Sequence, residues 1–384
     1  MTISVGTRVF SISILAIPII NLFDKFINYF KITETFTIVS SMLAILFMIM
    51  ALLIISTRSL LKRYNCQQYP FYVFSLLCFN SVCCIIIGLE LEGLISGFCS
   101  TLLKNGDVHL RSAFGAMIFH LNGILVYAIS VTIIAAITWN NEFHDTLCYW
   151  LGSWYNIAIV FLLGVLTGKT GPNWSTLLYL PFIILPLHMS RNLIGKSNQS
   201  QPPIISSPIW RRHIDLSLTI FFVFASFMAI FRGIIVLDSP LEPCKWYTKR
   251  VEPYLLSSTP APFAKIQMLL IMFTYTPFYL ASIYHLINGT FYKMSESSLI
   301  YAGASLSAQV THFGAAVHSR TPYVFRVPSD WDSQAIFWLT NLILMIGPQI
   351  FAFRCLQPED FGEENGHKPL DEAVKINGDT PKDK

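Results

Sequence analysis

The stretch YAGASLSAQVTHFGAAVHSRTP, residues 301–322, decides the fold class because it is a hydrophobic segment built almost entirely from small residues. Small residues let neighbouring helices approach closely in lipid, so we predict a transmembrane helix inside a bundle. Gln309 and His312 lie three residues apart and therefore share one face of this helix. Polar groups at this depth are costly against lipid, so this face either lines a ligand site or forms hydrogen bonds between helices.

The composition of the whole chain agrees with a protein that lives in a membrane. Of its 384 residues, 53% are apolar and only 12% are charged, a balance far from that of a soluble globular domain. The net charge of +4 hides an acidic tail, since residues 357–384 contain eight acidic residues and four lysines. We therefore predict an all-α polytopic membrane protein with an acidic disordered tail.

Ten hydrophobic runs are long enough, or nearly long enough, to cross a bilayer, and we predict about ten transmembrane helices from them. The Ser- and Pro-rich segment 191–213 has the composition of a linker and separates two similar halves. The runs lie near 6–23, 36–57, 70–91, 114–139, 147–167, 174–190, 214–237, 266–287, 298–317 and 334–356.

The two halves repeat one another at a nearly constant spacing. YWLGSW (149–154) aligns with IYAGAS (300–305), and TGKTG (167–171) aligns with HSRTP (318–322). Each half contains four predicted helices, an even number, so both copies should have the same orientation in the membrane. With two extra helices at the N-terminus, both chain termini should lie on one side, and we place that side in the cytosol.

Three acidic residues stand where a helix gives way to a loop, and two polar residues lie alone inside helices. Glu90 ends one helix and Asp238 ends the corresponding helix of the second half. Asp238 either tilts inward to pair with Arg232 of the same helix or faces solvent as an ordinary interfacial group. Glu92 should face solvent. Asn122 and Asn341 either line a pocket or bond to neighbouring helices.

The sequence lacks the short motifs that are typical of most enzyme classes. The sequence has no Walker loop, dinucleotide fingerprint, HExxH, GxSxG or CxxC motif, so we predict no cofactor, no metal site and no nucleic-acid partner. A transporter or lipid scramblase is a weaker possibility, suggested by the parallel repeat alone.

Several longer motifs are specific enough to name a resemblance. FRGIIVLDSP (231–240), EPYL (252–255), SAQVTHFGAAVHSRTPYVFRVP (307–328) and PQIFAFRCLQ (348–357) resemble the transmembrane 6 superfamily, a member of the EXPERA group. This resemblance implies two EXPERA units, at 66–190 and 214–356, preceded by two helices in residues 1–65. It also implies a protein of the endoplasmic reticulum, or of the Golgi intermediate compartment or lysosome, that affects lipid export and storage.

The EXPERA group includes the emopamil-binding sterol isomerase, whose acid and base residues are mostly missing here. The isomerase pairs a His with a Glu four residues later, but these positions hold Ile86 with Glu90 in one unit and Ile234 with Asp238 in the other. Its second-helix Glu corresponds to Asn122 and to about Ile271, which cannot exchange a proton at neutral pH.

Two functions follow from this comparison. The first is binding of a membrane lipid or sterol without catalysis, to regulate lipid metabolism together with protein partners in lipid loading or sterol biosynthesis. The alternative is a sterol 8-to-7 isomerase that uses Asp238 and His312 as acid and base. Either site should lie in the second unit, where an acid, a polar stripe and an Asn occur together, and the six candidate ligand-binding residues are Asp238, Gln309, His312, Asn341, Glu90 and Asn122.

Overall fold

The computed structural model describes residues 5–63, 68–105, 108–193 and 207–356, and every regular element in these ranges is helical. The tail predicted at 357–384 lies outside the described residues, as does most of the linker predicted at 191–213. The α-helices are α1 (Val5–Ile14), α2 (Ala16–Tyr29), α3 (Thr35–Arg63), α4 (Gln68–Leu91), α5 (Ser100–Asn105), α6 (Ala113–Leu121), α7 (Tyr127–Thr138), α8 (His144–Thr167), α9 (Leu180–Leu193), α10 (His213–Val236), α11 (Glu242–Arg250), α12 (Phe263–Leu270), α13 (Thr276–Ile287), α14 (Ser295–Val317) and α15 (Trp331–Leu356).

Eight helical segments in the described ranges are long and apolar enough to cross a membrane, so the prediction of an all-α polytopic membrane protein is confirmed. The other two predicted spans are also helical. The run at 298–317 is α14, whose many small and hydroxyl residues lower its hydropathy, and the run at 174–190 is a 3₁₀ turn followed by α9. The total of ten spans stays a prediction. The eight segments that are long and apolar enough to cross a membrane are Val5–Tyr29, Thr35–Ser59, Tyr69–Leu91, Ala113–Thr138, His144–Thr167, His213–Val236, Phe263–Ile287 and Trp331–Leu356.

A π-helical segment interrupts the same helix in each half of the chain. Asn122–Val126 joins α6 to α7, and Ile271–Tyr275 joins α12 to α13. These segments begin at the two residues that the sequence comparison had paired. Since π-helical turns are rare and are often found at functional sites, their matching positions support the proposed duplication. The boundaries of the two units remain a prediction.

The two halves meet where α8 packs against α14. A Cβ atom on Gly152 would lie 1.7 Å from the carbonyl oxygen of Ile300, and one on Gly303 would lie 1.9 Å from that of Tyr149. Only glycine permits such a backbone approach. Each glycine is the fourth residue of its repeated motif, so the contact is reciprocal. A hydrogen bond from Ser307 to the Ser153 carbonyl continues the contact further along both helices in the same direction, which shows that α8 and α14 are parallel.

Two further contacts between the halves also involve corresponding helices. In the first half, Gly164 of α8 makes room for Phe263 at the start of α12, whose ring stacks on Phe114 with centroids 4.5 Å apart. In the second half, Gly314 of α14 makes room for Met117 of α6. The predicted central packing of α14 is confirmed, since Ala308 and Ala315 are fully buried.

Candidate functional site

A buried polar cluster lies in the second half, where α10, α14 and α15 meet the segment that follows α11. The guanidinium of Arg232 pairs with the carboxylate of Glu252, and both side chains are at most 2% exposed. Asn341 donates to Glu252 at 2.8 Å and accepts from Arg232 at 3.2 Å. A buried charge needs such a partner and further hydrogen bonds, so this arrangement accounts for an arginine inside a membrane helix.

His312 and Gln309 lie beside this cluster, as their shared helix face predicted. The Nε2 atom of His312 is 3.7 Å from Glu252 Oε2, which is too long for a hydrogen bond but close enough for attraction if the ring is protonated. Neither ring nitrogen has a hydrogen-bond partner among the described residues. Gln309 borders a small cavity of about 10 Å³ that Arg232 also lines. The structure thus brings His312, Gln309 and Asn341 together.

Asp238 does not join them, and of its two alternatives the structure shows the solvent-facing one rather than the pairing with Arg232. Its carboxylate is 72% exposed and accepts from Lys265 at 3.2 Å. Six residues of an α-helix make almost one and two-thirds turns, so Arg232 and Asp238 belong to different helix faces. A positive φ of 61° then turns Asp238 away just after α10 ends. The acidic partner is Glu252 instead.

Glu90 is held by the loop that follows its own helix. It accepts hydrogen bonds from the Phe98 and Cys99 amides at 2.9 and 2.7 Å and from the Ser100 hydroxyl at 2.6 Å. These bonds fix the start of α5 and explain the residue without a ligand. Glu92, expected to face solvent, is instead 21% exposed and accepts from His318 at 2.8 Å.

The interior of the second half is filled by aromatic side chains. The small cavity beside Arg232 and Gln309 has a volume of about 10 Å³, which is room for one water molecule. The rings packed there include Phe222, Phe278, Tyr279, Tyr301 and Phe351.

The first half contains a much larger cavity, of about 290 Å³, close to the lower limit of small-molecule sites at about 300 Å³. Its walls come from α2, α3, α4, α6, α8 and α9, and most of them are apolar. Asn122, the first residue of the π-helical segment, lines it. Of the six residues predicted to bind a ligand, Asn122 is the one that the structure places on this cavity.

Three polar groups on the cavity wall have no hydrogen-bond partner among the described residues. They are Nε of Arg111, the hydroxyl of Ser175 and Nε1 of Trp150, and each of these atoms is buried. All three can donate a hydrogen bond. None of the described residues that line the cavity is Asp, Glu or His. The residues of the cavity wall therefore include three unpaired hydrogen-bond donors and one positive charge among mostly apolar side chains.

Sequence reasoning missed Glu252, Arg111 and Ser175. Glu252 belongs to the EPYL motif, but the motif assigns it no role. The one signal for it was Arg232, because an arginine inside a membrane helix requires a counter-ion. Nothing in the spacing of residues pointed to Arg111 or Ser175, because they come together only when loops from different helices meet at one end of the bundle.

Comparison with known proteins places the chain in a family. Residues 15–203 match the family described as "Transmembrane 6 superfamily member 2-like, transmembrane domain". The chain is 34% identical over 300 residues to "Transmembrane 6 superfamily member 2" of Mus musculus, covering 75% of this chain and 78% of that protein. It is 31% identical over 339 residues to the Homo sapiens protein of the same name, covering 84% and 87%. No solved structure matches. The chain therefore belongs to the transmembrane 6 superfamily.

Proposed function

We propose that this protein binds a membrane lipid or sterol in the cavity of the first half, and that it thereby regulates lipid metabolism, export and storage in the endoplasmic reticulum membrane. The cavity of about 290 Å³ carries this proposal. Its location among helices that can cross a membrane gives it access to lipid. The resemblance to EXPERA proteins, which include a sterol isomerase, supports a ligand of this class.

The physical basis of binding differs from that in water. A lipid tail gains little hydrophobic free energy by moving from the bilayer into an apolar cavity, because both surroundings are equally apolar. Close packing and hydrogen bonds must therefore select the ligand. Arg111, Asn122, Trp150 and Ser175 supply the polar contacts that could distinguish one lipid from another.

A sterol isomerase is supported less well. Isomerisation needs an acid and a base on the same ligand, and the described residues of the cavity wall include no carboxylate or imidazole. The alternative pair is also split, since Asp238 is at the surface while His312 is only 1% exposed. Burial favours a higher pKa for Glu252, but the Arg232 charge, His312 and Asn341 outweigh it and hold the pKa well below its usual range. Glu252 is thus ionised at neutral pH and has no proton to donate.

The proposal is tested by filling the cavity. Ala158 lies on the cavity wall, so Ala158→Phe should displace bound lipid, whereas Ala281→Phe places the same ring on an exposed part of α13. Each protein is purified in mild detergent, and lipids that co-purify are measured by mass spectrometry. We expect a lipid with the wild type and Ala281→Phe that is lost from Ala158→Phe. Equal lipid content in all three proteins would refute a site in this cavity.

A further inference from the structure

We infer that the cavity takes an amphiphile with an oxyanion head group, which Arg111 and Ser175 bind, while the hydrocarbon part lies deeper in the cavity. This inference rests on the proposed function and adds the chemical class of the ligand. Either a lipid phosphate or a fatty-acid carboxylate presents the required oxygens.

Arg111 and Ser175 lie at the same end of the helix bundle. Arg111 ends the 3₁₀ turn His109–Arg111 just before α6, and Ser175 lies in the 3₁₀ turn after α8. A hydrogen bond of 3.0 Å between Thr170 and the ring of His109 joins the two connecting segments. Helix ends mark the edge of the bilayer, where lipid head groups are found. The two donors thus lie where a head group would be when its chains point into the bundle.

The chemistry of these groups favours an anion. Nε of Arg111 is buried without a hydrogen-bond partner, and Arg111 forms no ion pair with any described residue. A guanidinium is always charged and presents a planar fork that matches carboxylate or phosphate oxygens. Ser175 is 3% exposed as a residue, and its hydroxyl has no hydrogen-bond partner among the described residues, so it is left to donate a further bond to the head group. An amine head group would meet a like charge here and no acidic residue of the described wall.

The rest of the wall suits hydrocarbon. Beyond Arg111 the cavity is bounded by large apolar side chains of α3, α4, α6, α8 and α9, among them Ile38, Leu46, Phe119, Phe161 and Ile183. An anion with no chain would leave this apolar surface unfilled, and a sterol, with a single neutral hydroxyl, would offer Arg111 no negative charge. An anionic amphiphile satisfies both parts of the cavity.

The test compares three probes on the full-length protein in nanodiscs of uncharged lipid. The probes are phosphatidic acid, oleic acid and cholesterol, and binding is measured by native mass spectrometry. Of phosphatidic acid and oleic acid, we consider the one that the wild type binds more tightly. Arg111→Gln should weaken its binding at least about tenfold, as expected for loss of a charged hydrogen bond, and leave cholesterol binding unchanged. The control Lys169→Gln removes an exposed positive charge from the neighbouring loop and should have no such effect.

The outcomes separate this inference from the proposed function. If phosphatidic acid alone depends on Arg111, the head group is a phosphate; if oleic acid alone does, it is a carboxylate. If the wild type binds cholesterol but neither anion, or binds the anions equally well after Arg111→Gln, this inference is overturned while the proposed function stands. If no probe binds and no lipid co-purifies, the proposed function itself fails. Should Arg111→Gln not fold, Arg111→Met and Ser175→Ala replace it, and unchanged anion binding by both would overturn the inference.

Discussion

At the scale of single residues, the buried pair of Arg232 and Glu252 should matter far more than the exposed pair of Asp238 and Lys265. Glu252→Gln leaves the Arg232 charge buried without a counter-ion, which typically costs about 3–5 kcal/mol. We expect a large fall in the midpoint of thermal unfolding in detergent, or loss of folded protein, measured by fluorescence-detected size exclusion.

Asp238→Asn is the matched control, since it makes the same chemical change at a carboxylate that is 72% exposed. An exposed ion pair contributes about 0–1 kcal/mol, so the midpoint should hardly move. Equal midpoints for Glu252→Gln and wild type would show that the buried pair does not support the fold.

The sequence indicated part of this cluster and not the rest. His312 and Gln309 share a helix face by their spacing, and Asn341 is a lone polar group, so each was recognisable as buried and polar. Glu252 lies far from Asn341 in the chain and follows a short helix, so no periodicity connects the two. Asp238 is closer to Arg232 in sequence, which made an inward pairing one of its two alternatives, but the structure shows the solvent-facing one.

At the scale of helices, the approach of α8 to α14 should be the packing contact most sensitive to added volume. Gly152→Ala and Gly303→Ala each place a methyl group within 2 Å of a carbonyl oxygen unless the helices separate. Overpacking of this kind costs about 1–3 kcal/mol, so both variants should unfold at lower temperature.

Gly6→Ala is the control for these substitutions, because Gly6 is also helical but has no atom within 4 Å of an added Cβ. There alanine should be neutral or slightly stabilising, through its higher helix propensity. If all three variants behave alike, the close approach of the two helices is not a feature of the folded protein.

Hydropathy located the helices well, and their internal irregularities could not be predicted from it. The π-helical segments Asn122–Val126 and Ile271–Tyr275 differ in sequence and lie in continuous apolar runs. The first contains no proline, whereas Pro277 follows the second by two residues, so no shared local signal marks both segments. Such wide turns depend on packing against neighbouring helices, which a pattern along one chain does not contain.

At the scale of the whole molecule, the helix order predicts which of the N-glycosylation sequons Asn173-Trp-Ser and Asn288-Gly-Thr can be glycosylated. Asn173 follows α8 and Asn288 follows α13, and these helices run in opposite directions across the membrane, so the two exposed residues lie on opposite sides. With both termini in the cytosol, Asn173 faces the lumen. When the protein is synthesised in the presence of microsomes, a glycan slows its migration on a gel. We expect Asn173→Gln to remove any glycan, and Asn288→Gln to leave the gel mobility unchanged. A glycan on Asn288 would show that the protein has the opposite orientation in the membrane.

The location of open space is the property that the sequence predicted least well. Polar residues favoured a ligand site in the second half, but Arg232, Glu252 and Asn341 pair with one another there, and the cavity beside Arg232 holds only about 10 Å³. The first half has fewer notable residues and the larger cavity, because α2 and α3 help to enclose it. Volume depends on how all the side chains pack together, so no list of candidate residues could have located it.

The reciprocal contact between Gly152 and Gly303 also bears on the history of the chain. The glycine of each repeated motif, YWLGSW (149–154) and IYAGAS (300–305), lies against the backbone of the first residue of the other motif. This is the self-complementary form of contact found in two-fold symmetric dimers. Parallel packing of α8 and α14 is the arrangement that two copies of one half-length protein would adopt around an axis normal to the membrane. The interface thus has the form that fusion of two copies of a self-associating half-length protein would leave.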